Sequence, residues 1–193
     1  VIGGSRGIGR EVARLLAELG AGVVVNGRRD DAVRAVVDEI TAAGHRATGF
    51  TGSPSDADTA AALIGQCTST FGGLDMVVNC AGIPEPPGSS ILTISGEEFQ
   101  DQLDSHLLTA FHSCRAAAPI MAEQGSGAIV NTSSFAFLGD YGGTGYPAGK
   151  GAVNGLTLAV AAELREYGVR ANVICPGAKI GRASCRERVC STV

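Results

Sequence analysis

The sequence predicts an α/β protein, one parallel sheet wound by helices on both faces, and three observations carry that expectation. Short β-branched runs alternate with longer amphipathic stretches along the chain. A glycine-dense turn opens the first of those stretches. Connections are short, with no repeat and no linker, so one three-layer α/β/α domain is expected.

Each element follows from its pattern. Residues 23–26 read Val-Val-Val-Asn, the continuous apolar run of a strand buried on both faces. A weaker strand is expected over 46–50, and clearer ones over 74–79, 128–131 and 169–175. Helical periodicity fills the gaps over 8–19, 31–43, 56–71, 97–123 and 146–167. In the first helix the pattern groups Ile8, Val12, Leu15, Leu16 and Leu19 on one face. Pro119 is expected to disturb the fourth, since proline removes a helical hydrogen bond.

Composition excludes several function classes. The 193 residues are 45% hydrophobic, enough to bury a substantial core. Charged residues make up 18% and the net charge is −4, so no basic field for nucleic acid is expected. No apolar run approaches the roughly 20 residues that span a bilayer, and no signal peptide opens the chain. Among the six cysteines, Cys80 and Cys175 end strand-like runs while Cys67 and Cys114 fall in helical patterns, and none shows metal-type spacing. Reduced thiols in a cytoplasmic protein are the expectation, with no metal.

Both ends carry expectations of their own. The glycine turn begins after two residues, so the first strand is expected to be nearly absent, and a last strand is expected to be missing. Residues 180–193 hold three Arg, Cys185 and Cys190 without any period, and residues 181–189 resemble a translated sequencing adaptor. The domain is therefore expected over 1–179, incomplete, followed by a non-native tail. Loss of a mid-sheet strand leads to the expectation that the polypeptide alone is insoluble or molten.

The turn Gly3-Gly4-Ser5-Arg6-Gly7-Ile8-Gly9 has the chemistry of a phosphate cradle. Glycine allows close backbone approach, and the helix behind it offers free N–H groups and a positive dipole end. Its GxxxGxG spacing resembles the short-chain dehydrogenase/reductase family, and four further motifs follow in family order. Asn79-Cys80-Ala81-Gly82 is similar to the family's NNAG, and Asn131-Thr132-Ser133-Ser134 lies where its catalytic serine stands. Tyr146-Pro147-Ala148-Gly149-Lys150 matches YxxxK, and Pro176-Gly177 matches the turn after the sixth strand. The resemblance spans residues 2–177 and is strongest to the 3-oxoacyl reductase-like branch. It implies a Rossmann fold, with a dinucleotide held by Gly3, Ser5, Arg6, Gly7, Ile8, Gly9, Asn79, Ala81, Gly82, Tyr146, Lys150, Pro176 and Gly177. Asn79 is expected to be mainly structural or on the cofactor side.

The cofactor is expected to be NADP(H). After the second strand, where NAD enzymes place a carboxylate, the sequence reads Asn26-Gly27-Arg28-Arg29. Arg28 can grip a 2′-phosphate bidentately and Arg6 can approach it from the other side. Arg29 is read as part of a solvated helix entry with Asp30 and Asp31. The family's Asp after the third strand is missing, and Thr51 or Gly52 would have to serve the adenine.

The catalytic expectation is a Ser-Tyr-Lys triad for oxidising a secondary alcohol or reducing a ketone. Tyr146 would be the acid/base, and Lys150, one turn later on the same helix face, would favour the phenolate. Ser133 stands thirteen residues before Tyr146, the family's usual spacing, whereas Ser134 matches the strand-end pattern. Ser134 is chosen, because strand register is set by the sheet while loops tolerate deletions. His106 occupies the place of a family Asn that relays protons, and reads equally as a relay or a buried structural histidine.

Residues 83–93 and 135–144, the latter with Tyr141, are expected to border the nicotinamide pocket without naming a substrate. An acyl thioester, a sugar or a steroid-like ketone is what the resemblance implies. A homotetramer or homodimer through the helices at 97–123 and 146–167 is implied as well, with Ala152, Leu156, Ala159, Val160 and Leu164 on a compatible face. Two competing readings remain: a dinucleotide-binding regulatory protein on the same fold, and an inactive fragment. The intact Tyr146 and Lys150 argue against the first of these.

Overall fold

Strands alternate with helical segments in the computed structural model, which describes residues 1–139 and 143–176. In chain order these are α1 (Gly7–Glu18), β1 (Val23–Gly27), α2 (Asp30–Ala42), β2 (Ala47–Thr51), α3 (Ala57–Phe71) and β3 (Met76–Asn79). There follow α4 (Gly96–Leu103), a π-turn (Asp104–Leu108), α5 (Thr109–Gln124), β4 (Gly127–Thr132), α6 (Gly145–Leu164) and β5 (Val169–Ile174). Tyr141, Gly177, Cys185, Cys190 and the expected boundary at 179 lie outside the described residues.

All strand pairs are parallel: β1 with β2, β3 with β4, and β4 with β5. Val1 and Ile2 join the two groups. The Ile2 N–H donates to the Val78 carbonyl and the Ile2 carbonyl accepts from Cys80, while Asn26 donates to Val1 on the other side. The sheet therefore runs β2, β1, Val1–Ile2, β3, β4, β5, with the residues before the glycine turn mid-sheet. Beside Ile2 a cavity of about 310 Å³ separates β1 from β3, lined by Val23, Val24, Met76, Val77 and Phe71.

Side chains alternate across the sheet as the strand period demands. Val23 and Val25 pack with Ala13, Ala17, Val36 and Ile40 of α1 and α2 on one face. Val24, Val77 and Ile129 pack with Leu63, Cys114, Ala117 and Met121 of α3 and α5 on the other, joined by Val160 and Leu164 of α6. The layers are α/β/α.

Two expectations need correction. The buried face of α1 is Gly9, Ala13 and Ala17, while Leu15 and Leu19 are 52% and 85% exposed. The helix starts so close to the glycine turn that only small residues fit beneath it: a Cβ on Gly9 would stand 2.2 Å from the Gly3 oxygen. The long helix at 97–123 is interrupted by the π-turn at Asp104–Leu108, while α5 continues through Pro119. Serine and glutamate at 95 and 98 start α4 with a reciprocal capping box.

Candidate active site

Every residue that the motifs singled out, among those described, lies along the carboxyl ends of the parallel strands, where open α/β sheets bind ligands. The glycine turn forms one wall. Gly3 has φ +72°, and a Cβ there would stand 2.7 Å from the Ala81 nitrogen, so the turn lies against the residues that follow β3. Gly7 has φ +53° with open space beside it. Arg6 precedes α1 in extended conformation without a side-chain cap, and Ile8 is partly exposed. The first-turn N–H groups thus remain available to an anion. Glycines at 3 and 9 let the turn pack against backbone that a Cβ would strike, and the open space beside Gly7, next to the first-turn N–H groups, suits a pyrophosphate.

At the adenosine end, Gly27 is buried, and a Cβ there would stand 2.5 Å from Ser5 Oγ and 2.9 Å from Val33 Cγ2. Ser5 therefore occupies the space into which a carboxylate at 27 would project. Arg6 and Arg28 are exposed and make no ion pair among the described residues, whereas Arg29 pairs with Asp31 at 2.5 Å. The Asn26 amide donates to the carbonyls of Phe50 and Gly52, fastening the end of β2 to β1. Thr51 Oγ1 donates to Asp30.

Beyond β4 the two serines diverge. Ser133 is 2% exposed and its hydroxyl donates to the Lys150 carbonyl at 2.9 Å, so it is used to dock α6. Ser134 is partly exposed and its Oγ accepts from the Ala136 N–H, opening a short 3₁₀ turn at Phe135–Leu138. Tyr146 lies in the first turn of α6. Lys150 is 4% exposed; its ammonium donates to the Thr132 carbonyl at 2.8 Å and lies 5.6 Å from the Tyr146 ring centre. Burial pushes its pKa down from 10.5 to about 8, an effect that Cys80 and Cys175 partly offset.

His106 sits in the π-turn, 3% exposed, with its ring perpendicular to that of Tyr146 at 4.9 Å between centroids. Its Nε2 lies 3.1 Å from the Ile83 carbonyl and 3.2 Å from Gln102 Oε1. The Gln102 amide nitrogen donates to Pro84, so both neighbours of Nε2 are acceptors and Nε2 carries the hydrogen. Nδ1 is then a buried acceptor without a hydrogen-bond partner among the described residues. A Cβ on Gly82 would stand 2.7 Å from it and 3.6 Å from the Lys150 ammonium, so both nitrogens face the same glycine. Burial, then the Lys150 charge, push the His106 pKa from 6.5 down to about 3, and the ring is neutral at physiological pH.

Below the site, Asn79 donates to Asn131 at 2.7 Å and Asn131 donates to Thr157 at 2.9 Å, locking β3, β4 and α6 together. Asn79 is thereby tied into the fold through its amide nitrogen, while its Oδ1 is buried with no hydrogen-bond partner among the described residues. Pro176 follows β5, partly exposed, on the same side of the sheet. Sequence reasoning passed over two residues. Gln102, fully buried, stands one turn before His106, a spacing that was readable. Glu85 binds the start of α6 from 59 to 61 residues away, and no local pattern announces that.

Among the described residues no helix is long and apolar enough to cross a membrane. Residues 1–181 match the family model described as short chain dehydrogenase. The chain is 41% identical over 180 residues to a 3alpha-hydroxysteroid dehydrogenase of Mediterraneibacter gnavus, covering 92% of this chain and 71% of that protein. It is 40% identical to the 3-oxoacyl-[acyl-carrier-protein] reductase FabG of Staphylococcus aureus, covering 92% and 72%. A short chain dehydrogenase from Mycobacterium avium superposes with a TM-score of 0.88 at 40% identity, over 97% of this chain and 70% of that one. A metagenomic short-chain oxidoreductase in complex with NADP gives 0.86 at 36% identity, over 92% and 80%. With the motifs in order, the fold built and the match running from residue 1 to 181, the chain belongs to the short-chain dehydrogenase family of oxidoreductases.

Proposed function

We propose that the protein transfers a hydride between NADP(H) and a secondary alcohol or ketone, with Tyr146 as the acid/base. The observation that carries this reading is the burial of Lys150 one helical turn beyond Tyr146, its ammonium fixed between the Thr132 carbonyl and the phenol ring. An ammonium held there favours the phenolate, so the phenol gives up its proton more readily than an isolated tyrosine with pKa near 10. Ser134, with its hydroxyl at the open end of β4, polarises the substrate carbonyl and stabilises the charge that develops on its oxygen. Tyr146 then donates the proton to that oxygen. His106 Nδ1 offers a buried lone pair on the side of Gly82 that Lys150 also faces, where it can accept a hydrogen bond. Nicotinamide supplies or accepts the hydride when bound.

Preference for the phosphorylated cofactor is supported by Arg6 and Arg28 and by the Ser5–Gly27 contact that leaves no room for a carboxylate. The NADP in the metagenomic relative agrees with it. The names of the curated relatives, a hydroxysteroid dehydrogenase and an oxoacyl reductase, agree with an alcohol/ketone pair.

Replacing Tyr146 with Phe keeps the ring and removes the proton. Ketone-dependent NADPH oxidation is expected to fall on the order of 10²- to 10⁴-fold while NADPH still binds. An unchanged rate would overturn the assignment.

A further inference from the structure

We propose that Glu85 is a positioning residue for Tyr146, clamping the loop after β3 onto the first turn of the catalytic helix. Its Oε1 accepts the N–H groups of Thr144 at 3.0 Å and Gly145 at 3.2 Å, and its Oε2 accepts that of Tyr146 itself. The first N–H groups of a helix have no partner within it. Thr144 stands at the cap position of α6 and makes no side-chain cap hydrogen bond. Glu85 supplies the missing acceptor from across the chain.

The surroundings are built around this contact. Ser89 donates its hydroxyl to Glu85 Oε1 at 2.9 Å. A Cβ on Gly143 would stand 2.2 Å from Glu85 Cγ, so only glycine leaves the side chain its path. Burial raises the carboxyl, but the N–H groups of Tyr146, Gly145 and Thr144, with Ser89, outweigh it and hold it below the usual carboxylate range. Glu85 is therefore an anion at the positive end of the α6 dipole.

Two neighbours in sequence are tied down at the same place. The Ile83 carbonyl meets His106 and the Pro84 carbonyl accepts from Gln102, so residues 83, 84 and 85 each hold one element around the Tyr146–His106 ring pair. Lys150 is secured separately, by burial and by Thr132. Releasing Glu85 would loosen the Tyr146 end of the helix and leave the Lys150 end in place. The distance between phenol and ammonium would then vary, which is the distance that sets proton donation.

The inference rests on Tyr146 being the proton donor, and the experiment separates the two. Glu85→Ala, Glu85→Gln and Ser89→Ala are compared with wild type in NADPH-dependent ketone reduction. Glu85→Ala is expected to lower kcat on the order of 10- to 100-fold, the cost of roughly 1 Å of misplacement. KM and NADPH affinity, read by cofactor fluorescence, should hardly move, while the solvent deuterium isotope effect on kcat rises. Glu85→Gln keeps one acceptor oxygen and should fall between; Ser89→Ala should lose least. In a Tyr146→Phe background Glu85→Gln should add no further loss, because its effect passes through the phenol.

If Glu85→Ala does not fold, Glu85→Gln and Ser89→Ala decide the matter. Wild-type kcat in Glu85→Gln, or a loss confined to KM and cofactor affinity with an unchanged isotope effect, overturns the role of Glu85 while leaving Tyr146 as donor. A fully active Tyr146→Phe overturns both.

Discussion

The Lys150 ammonium stands 5.6 Å from the centre of the Tyr146 ring and donates at 2.8 Å to the carbonyl of Thr132, the last residue of β4. A cation in this position works only while it is protonated. With its pKa lowered from 10.5 to about 8 by burial, that condition ends close to neutrality. For ketone reduction, kcat/KM is expected to fall tenfold per pH unit once pH rises well past 8. Stability runs the opposite way. Between pH 8 and 10.5 the unfolded chain holds the lysine proton and the folded chain does not, so this residue's contribution rises with pH across that window. Lys150→Arg keeps its charge throughout, and should remove the alkaline limb at whatever residual rate its different shape allows. Steady-state rates from pH 6 to about 10, with wild type and variant side by side, check this; an identical alkaline limb in Lys150→Arg would contradict it.

Cofactor choice turns on the Ser5–Gly27 contact. Arg28→Ala and Arg6→Ala should each lower kcat/KM for NADPH about 10- to 100-fold, since each removes a charged hydrogen-bond donor, and should leave NADH nearly unaffected. The usual route to NADH, a carboxylate at the end of β1, is blocked here: its Cβ would stand 2.5 Å from Ser5 Oγ. Gly27→Asp alone should therefore weaken both cofactors and lower the melting temperature. Gly27→Asp with Ser5→Gly relieves the closest contact, leaving Val33 Cγ2 at 2.9 Å to shift, and should recover part of the NADH use. Kinetics with both cofactors for the single and double variants decide it; a single Gly27→Asp that simply switches preference would show that Ser5 yields freely.

What was legible in the sequence had a local cause. The run Val23-Val24-Val25 became a strand because each valine is buried, with alternate side chains serving the two faces. The spacing of Tyr146 and Lys150 put both on one side of α6 because a helix repeats every 3.6 residues. The π-turn at Asp104–Leu108 was hidden, since one inserted residue leaves the apolar pattern on either side looking helical. The exposed Leu15 and Leu19 were misplaced because periodicity marks where apolar residues recur, and not which face can approach the sheet. Glu85 was beyond local reading altogether: its partners are 59 to 61 residues away, and a lone Glu in a Pro-rich loop looks like any solvated charge.

His106 offers the sharpest test of the fourth position. Neutral, with Nε2–H committed to Ile83 and Gln102, it presents only the Nδ1 lone pair toward Gly82 and Lys150. Such a ring orders its neighbours by accepting a hydrogen bond and carries no charge itself, because its pKa lies at about 3. His106→Asn preserves an acceptor and a donor on a shorter side chain, and should retain more of kcat than His106→Leu, which fills the space and accepts nothing. The two variants should differ in the solvent isotope effect on kcat, with Leu larger. The same burial has a consequence for stability. Between pH 6.5 and 3 the unfolded chain binds the imidazole proton and the folded chain does not, so stability is lost as pH falls through that window. Both variants remove the group, and should flatten the acid limb of a plot of melting temperature against pH. An acid limb of wild-type steepness in both would mean that the buried ring takes up its proton without strain, and the acceptor-only role would fall with it.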